Sequence, residues 1–234
     1  DILNWLGAQH AASQIAAIAP YVASQNDDVA SAAIAAASKI GGEQALAALI
    51  NRMTKGEENE VVDAALIKGF LSFNGSINDE FARVMDVNAH ARKISKAVLT
   101  KRRIADSASK ILVWVDNGGD DSAIPALTTN AVEKNFDKYC NLFEQGRDVS
   151  KAIIKAIQNK PAAEQAKMIQ GRINKWYAES VLEEQPFVMD PSKTVKEVIA
   201  DANGKLAGFA FFVLGEGIEK REDNLADEVA KMLG

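Results

Sequence analysis

A chain of 234 residues, 47% apolar and 25% charged, can bury a sizeable core or split into two modules of ordinary domain size. Its net charge of -5, from 27 Lys+Arg against 32 Asp+Glu, excludes the broad basic face that nucleic-acid binding uses, so no DNA partner is expected. No apolar run approaches the ~20 residues of a membrane span, and the start lacks the basic region and apolar core of a signal peptide. A lone Cys140 excludes an internal disulfide. These features fit a cytoplasmic chain, and a start at Asp1 without an initiator Met fits a processed or truncated product.

The fold class expected is mainly α with a small α+β C-terminal unit. Ile15, Ile18, Ala19, Val22 and Ala23 share one helical face. Asp27 and Asp28 then supply an N-cap and first-turn charge for the stripe Val29, Ala32, Ala33, Ala36, Ala37 and Ile40, which Gly41-Gly42 ends as a C-cap. Small alanines on that stripe let two helix axes approach closely. Ala45, Leu46, Leu49 and Ile50 open a second pair, and Val61, Val62, Ala65, Leu66, Gly69 and Phe70 continue it to Asn74-Gly75. Val29 to Val61 is an offset of 32 residues and Gly42 to Gly75 one of 33, the mark of a stacked helical array. The motif Asn26-Asp-Asp-Val29, Ala32-Ala33 and Ile40-Gly-Gly resembles HEAT-type repeats, which places a HEAT-like module at residues 1–106. Ala91 to Leu99 with Lys101-Arg-Arg103 extends it by another helix.

Ile111-Leu-Val-Trp-Val115 satisfies both a buried strand and the last turns of a helix from near Ile104, and runs into the turn signal Asp116-Asn-Gly-Gly-Asp120. A module boundary is expected between 104 and 130. From about 132 to 182 two helices form a hairpin. The first carries Phe136, Tyr139, Cys140 and Phe143, an interruption at Gly146, then Val149, Ile153, Ile154 and Ile157. Pro161 breaks it, and Ala166, Ile169, Ile173, Trp176 and Tyr177 stripe the second. The remaining α+β unit, about 183–234, has strand candidates at Phe187-Val-Met189 and Ala207 to Leu214. Between them Asp190-Pro-Ser192 caps a helix bearing Val195, Val198 and Ile199, and a helix from about Leu225 to Leu233 closes the chain.

Other chemistry is thin. His10 and His90 read as surface histidines, without a second ligand at metal spacing, and the acidic pairs Asp27-Asp28, Asp120-Asp121 and Glu183-Glu184 read as helix ends or loops. Lys101-Arg102-Arg103 reads as a solvated face, and Trp5, Trp114 and Trp176 as core. No Gly-Lys-Ser/Thr phosphate loop and no nucleophile-base-orienter set occurs, so no enzyme, metal or cofactor is expected.

Lys160-Pro161, Ala166-Lys-Met168, Gly171-Arg-Ile-Asn-Lys-Trp176, Gln185-Pro-Phe-Val-Met-Asp-Pro-Ser-Lys-Thr-Val195, Gly215-Glu-Gly-Ile-Glu-Lys220 and Glu222-Asp-Asn-Leu-Ala-Asp-Glu-Val229 follow one another at family-like spacing. In this order they resemble the C-terminal part of elongation factor Ts, cleanly over about 159–234 and more weakly from about 107. The resemblance implies an elongation factor Ts-like region at 107–234 and elongation factor Tu as partner. It also implies that Gly215, Gly217, Ile218, Glu219, Lys220, Asp223, Leu225, Ala226 and Val229 lie at the partner contact. The Thr-Asp-Phe-Val motif that expels the partner's nucleotide in the family does not occur in these 234 residues. Binding is therefore implied more firmly than guanine-nucleotide exchange. Two alternatives stand beside it: a HEAT-like scaffold for another protein, and a fusion without an evolved function.

Overall fold

A computed structural model describes residues 2–118 and 121–212. The chain divides into two compact units, residues 1–172 and 173–234, and the division falls within one helix. In chain order the helices are α1 (Ile2–Ala8), α2 (Ile15–Ile18), α3 (Asp27–Ile40), α4 (Gly42–Lys55), α5 (Glu60–Leu71), α6 (Asn78–Val84) and α7 (Ala89–Lys101). There follow α8 (Ser107–Gly118), α9 (Ile124–Thr129), α10 (Phe136–Glu144), α11 (Ser150–Ile157) and α12 (Ala162–Ser180). The chain continues as β1 (Pro186–Phe187), β2 (Asp190–Thr194) and α13 (Val195–Asp201).

The first unit is a helical stack. α1 packs on α3, α3 on α5, α5 on α7, α7 on α9 and α9 on α11, while α4 packs on α6 in a second row. Small residues set the spacing. A Cβ on Gly7 would stand 2.7 Å from the Ala36 Cα, and one on Gly69 would stand 2.6 Å from the Ser38 hydroxyl oxygen, so α1 and α5 lie hard against α3. Ala30, Ala33, Ile34, Ala37 and Ile40 of α3 are buried, whereas Val29 and Ala32 are only half-buried. The buried stripe is therefore turned slightly from the expected one, because α3 is covered by neighbours on two sides.

Asparagines start three helices of the first row, α3, α5 and α7. Asn26 accepts from the Val29 N–H at 3.1 Å, Asn59 from Val61 and Val62, and Asn88 from Ala91 at 2.8 Å. Asn26 is thus the cap of α3, and Asp27 and Asp28 occupy its first turn. Gly41 ends α3 at φ 73°, ψ -165°, a region open essentially to glycine, and a Cβ there would lie 1.8 Å from the Asn74 carbonyl oxygen.

Side chains of one repeat also reach backbone carbonyls of the repeat before. Asn88 Nδ2 donates to Thr54 O at 2.8 Å, Arg102 to Phe70 O at 2.7 Å, Asn130 Nδ2 to Leu99 O at 3.0 Å and Arg147 to Val115 O at 3.1 Å. These bonds occupy carbonyls at helix C-termini, which have no partner within their own helix. The ladder continues through 104–130.

Ile111–Val115 lies inside α8 and is not a strand. Ala108, Ile111, Leu112 and Val115 are buried at helical spacing, and Val113, which a strand would align with 111 and 115, is 48% exposed. Residues 116–118 continue that helix, and Gly119 and Asp120 lie outside the described residues. Gly146, at φ 86°, separates α10 from α11, so the interruption expected there divides this arm into two short helices packed on each other. Phe136, Cys140 and Ile157 form a small cluster with Met168 of α12, and Arg172 binds Glu144 at 2.7 Å and Asn141 at 2.5 Å. The buried apolar side chains among the described residues run from Ile15 to Ile157.

Candidate partner interface

In the second unit the end of α12 leads through a turn at 182–184 into the antiparallel pair β1–β2, with Phe187 opposite Asp190 and Pro186 opposite Thr194. Only two residues, Val188 and Met189, make the connection. Tight hairpin turns favour Asn-Gly or Gly-containing pairs, yet here two large apolar side chains stand 90% and 83% exposed. The helix cap expected at Asp190–Ser192 lies in β2 instead. Thr194 caps α13: its hydroxyl accepts from the Glu197 N–H, and the Glu197 carboxylate accepts from the Thr194 N–H at 2.7 Å. Val195, Val198 and Ile199 of α13 are half-buried.

Strand pairing also differs from expectation. The partner of the Phe187 segment is Asp190–Thr194, a stretch expected as a helix cap, because a two-residue loop closes this pair at little entropic cost. Residues 205–212 carry no regular element, and Val213 and Leu214 lie outside the described residues. In that stretch Phe209, Phe211 and Phe212 are 71%, 79% and 86% exposed. Ile169, Ile173, Trp176 and Tyr177 make an exposed stripe along α12 at helical spacing, so the core position expected for Trp176 is not found. Trp5 is likewise exposed, while Trp114 is buried as expected.

The charges around these segments are satisfied locally. Hydrogen bonds from the Ser192 hydroxyl and backbone N–H hold the Asp190 carboxyl below the usual carboxylate range. Lys193 is raised by its bond to Asp201 at 2.6 Å, and Lys196 faces Glu184 at 3.6 Å. Beside these pairs stand the exposed apolar side chains of the hairpin tip and of residues 209–212.

The nine positions expected at the partner contact, Gly215, Gly217, Ile218, Glu219, Lys220, Asp223, Leu225, Ala226 and Val229, lie outside the described residues, as does the expected helix from Leu225. The signal for Val188 and Met189 was present in sequence: an apolar pair where a two-residue turn has no use for one.

Elsewhere the chemistry is structural. His90 is buried, not a surface histidine, and its Nε2 donates to Asp63 at 2.7 Å. Lys93 reaches the other Asp63 oxygen at 3.5 Å. His10 is exposed and donates from Nδ1 to Lys39 O. Arg102 is no solvated cation either, since it binds Phe70 O and Gly75 O. A cleft of about 860 Å³ beside α4, lined by Gln25, Gln44, Arg52, Lys55 and Asn59 among others, gathers no catalytic set. Among the described residues no His/Cys/Asp/Glu group could hold a metal, and no helix is long and apolar enough to cross a membrane.

The family model for elongation factor TS matches residues 123–216, which include the hairpin tip and the phenylalanine segment. Elongation factor Ts of Nitrosospira multiformis is 32% identical over 211 residues, covering 83% of this chain and 67% of that protein. The chain belongs to the elongation factor Ts family. A match over 83% of the chain reaches well before Asn159 and into the helical stack. Elongation factor Ts of Hyphomonas neptunium is 55% identical over 73 residues, and that of Pseudomonas fluorescens 34% identical over 151. The chain spans 24% and 49% of the lengths of these two relatives. No solved structure matches it.

Proposed function

We propose that this elongation factor Ts-like protein binds elongation factor Tu through its C-terminal region, and does so in the cytoplasm as a non-enzymatic partner. In this reading residues 1–106 are a helical repeat module and 107–234 the elongation factor Ts-like region, with a hairpin at about 132–182 and a terminal unit at about 183–234. The contact comprises Gly215, Gly217, Ile218, Glu219, Lys220, Asp223, Leu225, Ala226 and Val229. Val188, Met189, Phe209, Phe211 and Phe212 contribute exposed apolar side chains to it. The observation that carries the reading is this exposed apolar surface inside the segment matched by the family model. Such a surface, outside the protein's own core, is costly in water and is relieved by a partner.

Binding alone does not make an exchange factor. Exchange requires a group that stabilises the nucleotide-free partner over the nucleotide-bound one. With no Thr-Asp-Phe-Val motif in these residues, the proposal is binding with little or no acceleration of nucleotide release. The test is release of fluorescent GDP from elongation factor Tu, with a pull-down on the same sample. Capture with unchanged release is the expected result, and Met189→Ser with Phe211→Ser should weaken capture. No capture at micromolar protein would overturn the reading. Capture that survives deletion of residues 205–234 would shift it to the helical stack as a scaffold.

A further inference from the structure

Three Asn-Gly dipeptides occur in the chain, at Asn74, Asn117 and Asn203, and the fold treats them differently. We propose that Asn74 is a site of spontaneous covalent modification, deamidating to aspartate and isoaspartate in the folded protein while the other two are protected. The reaction needs the backbone nitrogen of the following residue to reach the asparagine Cγ. At Asn117 the following glycine is the last residue of α8 and belongs to its helical backbone. At Asn203 the Gly204 N–H is held by Ile199 O at 2.9 Å. Asn74 and Gly75 lie in an exposed bend after α5, and among the described residues nothing accepts a hydrogen bond from the Gly75 N–H. A Cβ on Gly75 would meet nothing nearer than the Phe73 ring at 3.6 Å, so the space beside Gly75 is uncrowded.

The step balances with water alone. The Gly75 nitrogen loses its proton to solvent and bonds to Asn74 Cγ, and the side-chain Nδ2 leaves as ammonia. Water then opens the resulting succinimide at either carbonyl, giving aspartate or isoaspartate at position 74. The place matters because it is a joint of the stack. Asn74 Nδ2 donates to Ile40 O at 3.4 Å, the Asn74 N–H donates to Ser38 O at 2.9 Å, and Gly75 O accepts from Arg102 at 3.2 Å. Modification replaces a donor facing the Ile40 carbonyl by a carboxylate. As isoaspartate it also lengthens the backbone between two of these bonds.

The experiment incubates the full chain at mildly alkaline pH and follows all three sites by peptide mapping and by isoaspartyl methyltransferase labelling. A urea-unfolded sample runs alongside, and Asn74→Gln serves as the blocked variant. In the folded protein Asn74 should react about tenfold faster than Asn203, the ratio an opening cost of about 1.4 kcal/mol produces. In urea the three sites should react at similar rates. Asn74→Gln should remove the folded-state signal. Equal rates at Asn74 and Asn203 in the folded protein, or a reaction at Asn74 only after unfolding, would overturn the proposal.

Discussion

At the scale of single residues, the buried polar pair Asp63–His90 does more for the stack than composition suggests. Its side chains are 6% and 8% exposed and join α5 to α7 across 27 residues of sequence. Nothing local marks His90, which is why it reads as a surface residue until its partner is seen. Asp63→Ala strands the His90 Nε2 donor in a buried site and should cost about 1–3 kcal/mol in urea unfolding. A loss below the error of the method would show that water replaces Asp63. Cys140 yields a pH prediction. Burial pushes its thiol up, with Arg172 opposing and Asp137 and Glu144 adding. Below about pH 8.5 both the folded and unfolded thiols keep their proton, and the contribution of the buried neutral thiol is fully present. As pH rises beyond that, the unfolded chain ionises first and stability is lost. The stability gap between the wild type and Cys140→Ala should therefore narrow with rising pH, and a constant gap would refute the assignment.

At the scale of elements, the asparagines of the first row perform two tasks that can be separated. Asn26 caps α3, whereas Asn88 caps α7 and also donates to Thr54 O near the end of α4. Asn26→Ala should cost about 1 kcal/mol, and Asn88→Ala about twice that, since it also leaves a helix-terminal carbonyl without its donor. Equal costs in thermal or urea unfolding would remove the inter-repeat bond from the account. The repeat period was legible because the apolar stripe and its glycine stop recur, Val29 to Val61 and Gly42 to Gly75. The state of Ile111–Val115 was not, because a five-residue apolar run fits either period and only burial of Ala108 and exposure of Val113 decide it. The β1–β2 pair teaches the reverse lesson. The Phe187 segment was legible as a strand, but its partner was set by loop closure over two residues rather than by the apolar run near Phe211.

At the scale of the whole molecule, buried apolar side chains among the described residues stop at Ile157, while the exposed ones concentrate from Ile169 onward. Buried and exposed apolar side chains thus concentrate in different stretches of the chain. A variant ending after Ser180 should have the same unfolding free energy in urea as the full chain, within about 0.5 kcal/mol, and should lose capture of elongation factor Tu. A lower midpoint would mean that the terminal residues belong to the cooperative core.

Helical class, repeat period, glycine stops and family membership were determined by the sequence alone. Each is written in local patterns: caps, three-and-four spacing, and short motifs in fixed order. The tertiary structure decided what those patterns touch. His90 became a buried partner, Arg102 a helix terminator, and Trp5 and Trp176 exposed surface. Burial and hydrogen-bond partners depend on segments 26–34 residues away, and that distance is set by how one repeat seats against the next, which no local pattern records.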